Sequence, residues 1–483
     1  MELIRNFQSH FWRAFFNSER VKDLAVLSVL LAVAAVVRLI TPIEWTLDNT
    51  NADSDVYLAM AMMMFRGFTL YNEIFYGHPP LMIWILVLAF RVFGVSAVIG
   101  GLVGVGLSLI GISGVFFVAK RLGGFGAGVV SAILLSFSPL YLQVSRSASN
   151  EILLCALTPW MLYSFLLYLQ RKSSRWLILS GLLSGLGFLS KFYAVFLSLS
   201  ICLYLIYKRS FREAVYYLIL TGIPMLTLLT FDLTAVWKDV FLFPLYRPVT
   251  SLNLRLERIV DFARENLGLI LLGFAGAFFQ LRSHKNEKTN FLILWLFITF
   301  LGLTFQTTLY KHHLVHTLIP LAVCTSFLIK ELPRLPPKKA TAFILLLLVV
   351  TVPVMAAYDP AAITPEFPEL VKVRFEVAYL VQNLTGPNDF VISGDLMIPV
   401  IANRMVPPNL VDISDTRHEA KFILSRDLIE ACIKYDVKIV IVSSRLLSFG
   451  KFIEFVRKHY INIGTIRVSA YPQAYAYAIY IKR

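Results

Sequence analysis

The sequence predicts a multispanning α-helical membrane protein with a small α/β domain outside the membrane at its C-terminal end. Of its 483 residues 57% are hydrophobic, and its mean hydropathy is +0.70, whereas soluble domains are about 45–50% apolar. The lysines and arginines fall in clusters between long apolar runs, as in the cytoplasmic loops of membrane proteins. After Tyr358 the long apolar runs end and short β-branched runs begin.

The first predicted span is Leu24–Ile43, and the basic residues before it place the N-terminus in the cytoplasm. This run is long enough to remain as a signal anchor. The net charge of +15 then reflects basic cytoplasmic loops, so we expect no nucleic-acid partner. The four cysteines form no CxxC pair, and neither a disulfide framework nor a cysteine metal site is predicted.

Basic clusters after the first span set the remaining topology, since keeping all of them in the cytoplasm requires an even number of crossings between successive clusters. The clusters are Lys120-Arg121, Arg171 to Arg175, Lys208 to Arg212, Arg282 to Lys288 and Lys330 to Lys339. The spans predicted in this way are 95–119, 125–143, 150–169, 176–190, 192–207, 215–231, 264–281, 290–309, 314–330 and 340–358. With the first span, this gives about eleven crossings.

Two domains follow from this pattern, a membrane domain over 1–358 and an extracytoplasmic α/β domain over 359–483. The first external segment, 44–94, includes the run 80–93, which is short and is best explained as an interfacial helix. In the second domain, strands are predicted at 390–393, 438–444 and 476–482, and helices at 425–435 and 449–460. The chain is therefore predicted to be a multi-pass cell-membrane protein with its C-terminal domain outside.

Two carboxylates, Asp53 and Asp55, open the apolar run Val56–Phe65 in the first external segment. Carboxylates beside a membrane are costly unless they face water or a cation, so they indicate a site. The alternative is that they only cap the helix that follows. Asp55 is closer to the helix start, where capping would lower its basicity, so Asp53 is the better candidate for a general base.

Three further polar groups are predicted on the same outer side. Arg146 and Glu151 lie in the turn between the spans 125–143 and 150–169, where Ser149 and Glu151 could instead form an ordinary helix start. Lys191 lies between two apolar arms and must either snorkel or meet an anion. His313 belongs to the cluster Lys311-His312-His313 before the span 314–330, although a lone interfacial histidine is usually structural.

The order of these elements resembles the GT-C glycosyltransferases, in particular the protein O-mannosyltransferase and lipid A aminoarabinose transferase group (glycosyltransferase family 39). The resemblance rests on an acid before Tyr57, an apolar helix that ends at Gly67, an aromatic loop, and His78-Pro79-Pro80-Leu81 with Trp84. Glu151 stands where the relatives carry a second acid, usually Asp, and Lys191 where they have a lysine that faces the donor phosphate. His313 precedes Pro320 by seven residues, as in their histidine segment.

The resemblance implies a transferase that moves mannose or a similar sugar from a polyprenyl-phosphate donor, such as dolichyl phosphate mannose, to a protein, lipid or glycan hydroxyl. Asp53, with Asp55 and Glu151, is the implied catalytic set, and Asp53 stands four residues before Tyr57 as the relatives' base does. The implied donor-binding residues are Tyr57, His78, Arg146, Lys191 and His313. Cations would stabilise the leaving phosphate, and direct attack with one base predicts inversion.

No soluble cofactor is required by this chemistry, and a divalent ion, if present, would be held by Asp53 and Glu151. The aminoarabinose transferases have Glu-Lys before Pro-Pro, whereas this chain has Gly77-His78, which weakens the case for that substrate and for metal binding there. Two alternatives are a transporter or flippase for lipid-linked substrates and a catalytically inactive scaffold. A transporter predicts two similar halves with interrupted helices, and the sequence shows no such symmetry.

Overall fold

The computed structural model describes residues 19–40, 53–282, 289–332, 368–468 and 475–483. Among these residues, mainly apolar helices make up the part up to Glu331, and helices mixed with strands make up the part from Pro368 onward. The α-helices of the first part are α1 Glu19–Leu39, α2 Asp53–Phe65, α3 Leu81–Phe93, α4 Ala97–Gly123, α5 Phe125–Ser136, α6 Pro139–Val144, α7 Asn150–Arg171, α8 Ser174–Ser190, α9 Val195–Tyr207, α10 Phe211–Met225, α11 Leu233–Val236, α12 Phe243–Leu245, α13 Leu252–Glu265, α14 Leu267–Arg282, α15 Phe291–Thr304 and α16 Val315–Glu331.

Short 3-10 and π segments join several of these helices. The 3-10 segments are Phe192–Ala194, Leu226–Thr230 and Lys311–Leu314, and the π segment is Trp237–Leu242. Within the described ranges, four helical stretches are long and apolar enough to cross a membrane, namely Ala97–Gly123, Asn150–Arg171, Phe211–Thr230 and Lys311–Glu331. A fifth is α13 with α14 if the pair, bent by 86°, counts as one span.

The predicted count of about eleven spans is not confirmed. Several predicted spans correspond to helices shorter than the roughly 20 residues that a bilayer requires, as for α5, α15 and the helix over Phe192–Tyr207. The predicted span 264–281 continues backward into α13, which meets it at a sharp bend. The predicted span 340–358 lies outside the described residues.

Close helix packing depends on small residues at the contacts. α4 packs along α7, and α14 packs along α16. A Cβ atom added at Gly276 of α14 would lie 2.0 Å from the carbonyl oxygen of Cys324 in α16, so a larger residue there would push the two helices apart. This packing helps to hold α7, whose first turn carries Glu151, and α16, which directly follows the 3-10 segment that carries His313.

The C-terminal part contains a four-stranded sheet in the order β1-β2-β4-β3. Its elements are α17 Pro368–Leu384, β1 Val391–Ser393, α18 Met397–Ala402, 3-10 Pro408–Leu410, α19 Asp415–Glu419, α20 Ser425–Lys434, β2 Ile439–Val442, α21 Ser444–Leu447, α22 Gly450–His459, β3 Tyr460–Val468 and β4 Tyr475–Lys482. β1 and β2 are parallel, with Ile392 opposite Val440, and β4 is antiparallel to both β2 and β3. The three predicted strands and two predicted helices are present, and β3 is an additional strand.

The C-terminal part shares a core with the first external segment. Buried residues of α2 and α3, among them Leu58 and Ile83, belong to the same apolar cluster as Val440 and Phe452 of the C-terminal part. The two parts therefore share one apolar cluster, and a second cluster, which includes Val391 and Ile439, lies within the C-terminal part alone. Cys432 is 3% exposed within this shared core, so it is not a site for surface labelling.

Candidate functional site

The two acids of the first external segment lie in the first turn of α2 and have different surroundings. The Asp53 side chain is 40% exposed, whereas that of Asp55 is 7% exposed. Asp55 accepts a hydrogen bond from the Val56 N–H at 2.9 Å, and its Oδ2 lies 3.2 Å from Nη1 of Arg445 in α21. Asp55 is thus engaged by the C-terminal part, and Asp53 is available to a ligand.

Two sequence-based expectations for this pair are wrong. Asp53 does not precede the helix, because α2 begins at Asp53. Capping was expected to lower the basicity of Asp55, but burial raises the pKa of Asp55 from its ordinary value, and Arg445 opposes that rise. The preference for Asp53 as the base therefore rests on its exposure.

Glu151 and Lys191 form a buried ion pair between the first turn of α7 and the end of α8. Their side chains are 1% and 5% exposed, and Lys191 Nζ donates to Glu151 Oε1. The same Nζ lies 4.8 Å from the centre of the Tyr193 ring. Lys191 therefore meets an anion, as one of the two alternatives predicted, and does not snorkel. Ser149 does cap α7, so the helix-start interpretation of this turn also holds.

The histidine turn Lys311–Leu314 faces both acids. His312 Nε2 lies 3.7 Å from Glu151 Oε1 and 3.9 Å from Asp53 Oδ2, so it stands between the two carboxylates. His313 Nε2 lies 3.8 Å from Glu151 Oε1. His313 Nδ1 lies 3.0 Å from Gln306 Nε2, and accepting a hydrogen bond there puts the imidazole proton on Nε2, toward Glu151.

The aromatic loop after α2 is held in place by hydrogen bonds from two other elements and by one within the loop. Asn150 Nδ2 donates to the hydroxyl oxygens of Tyr76 at 2.8 Å and Tyr57 at 3.3 Å. The Tyr71 hydroxyl donates to the carbonyl oxygen of His78 at 2.8 Å. Asp239 accepts from the Tyr76 N–H at 3.3 Å, and burial raises the Asp239 pKa to about 7. These contacts fix Tyr57 and His78 on one side of the site.

A cavity of about 380 Å³ opens between the membrane part and the C-terminal part. Its walls are Asp53, Val56, Tyr57, Met60, Tyr76, Gly77, His78, Phe243, Arg247, Tyr310, His312, His313, Asp412, Ser414, Asp415, Thr416 and Arg445. Four predicted site residues, Asp53, Tyr57, His78 and His313, are in this set. Burial lowers the pKa of His78 well below its ordinary value, so at neutral pH its imidazole offers hydrogen bonds and no charge.

The other predicted site residues do not line the cavity. Glu151 pairs with Lys191 and lies within 4 Å of both His312 and His313, and Asp55 pairs with Arg445. Arg146 is 2% exposed in the segment before α7. Arg146 is not among the residues that line the cavity.

Two arginines of the cavity were missed by the sequence analysis. Arg247 follows α12, and its guanidinium carbon lies 4.7 Å from the centre of the Phe243 ring. Among the described residues, its Nε is buried without a hydrogen-bond partner. The signal available was a cation inside the aromatic segment FPLYRP. Arg445 comes from the C-terminal part, for which the sequence offered no motif.

Glu151, His312 and His313 each offer one ligand atom, and these atoms lie within 4.8 Å of one another. Carboxylate oxygen and imidazole nitrogen suit Zn²⁺, so the three side chains could hold an ion. The predicted pair was Asp53 and Glu151, and the cluster shares only Glu151 with it. Lys191 Nζ already contacts the Glu151 oxygen that the histidines face, so a cation there would meet the repulsion of the ammonium group.

Comparisons with known proteins agree with this architecture. The family described as "Dolichyl-phosphate-mannose-protein mannosyltransferase" matches residues 77–231. ArnT from Cupriavidus metallidurans, solved bound to undecaprenyl phosphate, superposes with a TM-score of 0.65 at 13% identity over 94% of this chain and 97% of that one. No curated protein matches the chain significantly by sequence.

The oligosaccharyltransferase of Archaeoglobus fulgidus is also similar. Its apo form gives a TM-score of 0.55 at 13% identity over 90% of this chain and 70% of that one. The same enzyme tethered to an acceptor peptide gives 0.55 at 13% identity over 96% and 74%. The resemblance to GT-C glycosyltransferases predicted from the sequence is thereby confirmed, and the chain has their fold.

Proposed function

We propose that this chain, a membrane protein with the GT-C glycosyltransferase fold, transfers a sugar from a polyprenyl-phosphate donor to an acceptor hydroxyl on the extracytoplasmic side. The observation that carries the proposal is the cavity itself. Asp53 stands in its wall with a partly exposed carboxylate, while Arg247 and the two histidines lie in the same wall. A single-displacement transfer needs this combination of a base and cationic or hydrogen-bonding groups for the leaving phosphate.

In the proposed reaction the acceptor oxygen attacks the anomeric carbon and its proton passes to the Asp53 carboxylate. The new bond joins the acceptor oxygen to that carbon, and the bond from carbon to phosphate oxygen breaks. The leaving polyprenyl phosphate gains a negative charge, which Arg247 stabilises at the cavity wall with His313 in the same lining, while Lys191 acts at longer range from its pair with Glu151. Attack from the face opposite the phosphate inverts the anomeric carbon. No soluble cofactor enters this scheme.

The remaining predicted residues have supporting roles in this proposal. Tyr57 and His78 shape the sugar side of the cavity, and Glu151 keeps Lys191 and the histidines in place. The donor is mannose or a similar sugar on polyprenyl phosphate, and the acceptor is a protein, lipid or glycan. The proposed site requires the cavity to open on the extracytoplasmic side.

The test is transfer by the purified protein in lipid nanodiscs supplied with radiolabelled polyprenyl-phosphate mannose. We expect transfer to an acceptor fraction from the membrane, or slow hydrolysis in its absence, with release of polyprenyl phosphate. Movement of intact donor across vesicles without bond cleavage would instead identify a flippase. Donor binding with neither cleavage nor movement would identify an inactive scaffold.

Replacing Arg247 with Met should weaken donor use. Loss of one charge-assisted contact to a phosphate costs about 1.5–3 kcal/mol, so the donor KM should rise by about 10- to 100-fold while folding is retained. Lys238→Met is the matched control, because Lys238 is an exposed cation nearby that does not line the cavity. An equal rise in donor KM in both variants would mean that donor binding depends only on the overall positive charge of this region, and that Arg247 does not contact the phosphate.

Cysteine labelling in intact cells tests the proposed topology. All four native cysteines are buried, so the background should be low. A cysteine replacing the exposed Lys451 should react with a membrane-impermeant maleimide, because the C-terminal part is proposed to lie outside. A cysteine replacing Leu122, beside the basic cluster Lys120-Arg121, should not react. Reaction at position 122 would overturn the assignment of basic clusters to the cytoplasm.

A further inference from the structure

The C-terminal part contacts both sides of the cavity. Arg445 Nη1 lies 3.2 Å from Asp55 Oδ2 in α2. On the other side, the hydroxyl oxygens of Thr416 and Tyr310 lie 2.9 Å apart, next to the histidine turn. The two membrane elements that carry the proposed base and the histidines are therefore both tied to the C-terminal part.

The Arg445 contact acts on the face of α2 that is turned away from Asp53. Residues two apart on a helix do not share a face, so Asp53 can be directed into the cavity while Asp55 is directed toward α21. Asp55 also accepts the Val56 N–H. The Asp55 side chain, which pairs with Arg445, is thus also hydrogen-bonded to the backbone at the start of α2. Fixing Asp55 therefore fixes the rotation of this turn.

Arg445 is itself held in a charged environment that belongs to the C-terminal sheet. Close by, Arg374 of α17 donates to Asp395 at 2.7 Å, and the Tyr477 hydroxyl of β4 donates to the same carboxylate at 2.7 Å. Asp395 and Arg374 both interact electrostatically with Asp55. The Arg445 side chain is 20% exposed and that of Asp55 is 7% exposed, so the pair is largely removed from water. The attraction between two opposite charges is stronger in such a site than in water.

We propose that Arg445 is a positioning residue, through which the C-terminal part orients the first turn of α2 and thereby the Asp53 carboxylate in the cavity. This inference rests on the proposed function, since it assigns Arg445 a role in the same transfer. It also gives the C-terminal part a function, because the membrane part alone would lack the group that fixes α2. Arg445 acts through Asp55 and does not exchange a proton with the acceptor.

Arg445→Met in the full-length protein should lower kcat by about 10²-fold, the size of effect expected when a catalytic group is misplaced by roughly 1 Å. The binding constant for polyprenyl phosphate should not change, because the cationic groups proposed to meet the phosphate are untouched. Arg445→Lys should recover part of kcat. The double variant Asp55→Asn/Arg445→Met should also recover part, since neither member then leaves an unpaired buried charge.

Lys482→Met is the matched control, because it removes a C-terminal ion pair with Asp436 in which both side chains are exposed. It should leave kcat unchanged. Equal kcat losses in both variants, or normal kcat in Arg445→Met, would overturn the proposal. So would a loss that only follows the fraction of unfolded protein.

Hydrogen exchange separates this proposal from the proposed function. In Arg445→Met the amides of residues 53–65 should exchange faster than in the wild type, and in Lys482→Met they should not. This exchange rate can be measured whether or not the protein transfers sugar. If the wild type transfers no sugar but α2 still loosens, the proposed function fails and the positioning contact stands. Unchanged exchange in α2 overturns the positioning role even if transfer is observed.

Discussion

Asp53→Asn should fold, bind the donor and lose about 10²- to 10⁴-fold of its transfer rate, the usual cost of removing a general base. The amide keeps the size of the side chain but cannot take the acceptor's proton. The side chain is 40% exposed at the cavity wall, and His312 Nε2 lies 3.9 Å from its Oδ2. Few native contacts are lost, so stability should be nearly unchanged. The measurement is single-turnover transfer with saturating polyprenyl-phosphate mannose.

Asp55→Asn is the control, because it makes the same chemical change two residues away. Asp55 is 7% exposed and pairs with Arg445, so its replacement leaves a largely buried guanidinium without its partner. We expect a clear loss of thermal stability and a smaller loss of transfer. Near-normal turnover in Asp53→Asn with an inactive Asp55→Asn would reverse the assignment. Full activity in both variants would remove the base from this loop.

The sequence predicted some of the residues that line the cavity from the membrane elements, although Arg247 was not among them. Asp53 was predicted because a carboxylate beside a membrane is costly without a role, whereas the roles of His78 and His313 were implied by the resemblance to the GT-C glycosyltransferases. The alternation of strands and helices after residue 368 was also visible in the pattern of short β-branched runs. These signals are local, and each can be read within a few residues.

Contacts between distant segments could not be predicted. Asp55 and Arg445 are 390 residues apart, and no periodicity links α2 to α21. The capping role expected for Asp55 followed from its nearest neighbours, whereas its pKa is governed by burial under the C-terminal part. Arg247 was missed for a similar reason, since only the folded chain brings the segment after α12 to the aromatic loop.

The predicted span count is not confirmed, and the bent helix pair shows one physical reason. Parity over basic clusters assumes that each apolar run crosses the bilayer once, but α13 and α14 meet at 86°. α13 carries arginines and glutamates, and α14 is apolar, so the bend separates an amphipathic helix from an apolar one. The hydrophobicity pattern of the sequence identifies the apolar helix α14, but it does not predict the direction in which α13 runs.

Lys191→Met should have the second large effect, and it should act on both stability and donor use. Its partner Glu151 is 1% exposed, and breaking a buried ion pair by removing one member costs about 3–5 kcal/mol. The melting temperature should fall, and the donor KM should rise because a cation near the histidines is lost. Thermal unfolding and donor titration of the same preparation measure the two effects.

The double variant Lys191→Met/Glu151→Gln separates these effects. It removes both charges and leaves groups of similar volume, so most of the lost stability should return. If Lys191 helps to stabilise the donor phosphate, the donor KM of the double variant should remain raised by about tenfold or more, the cost of one charge-assisted contact. Recovery of both stability and KM would show that Lys191 serves only to neutralise Glu151, and its proposed role at the phosphate would then be abandoned.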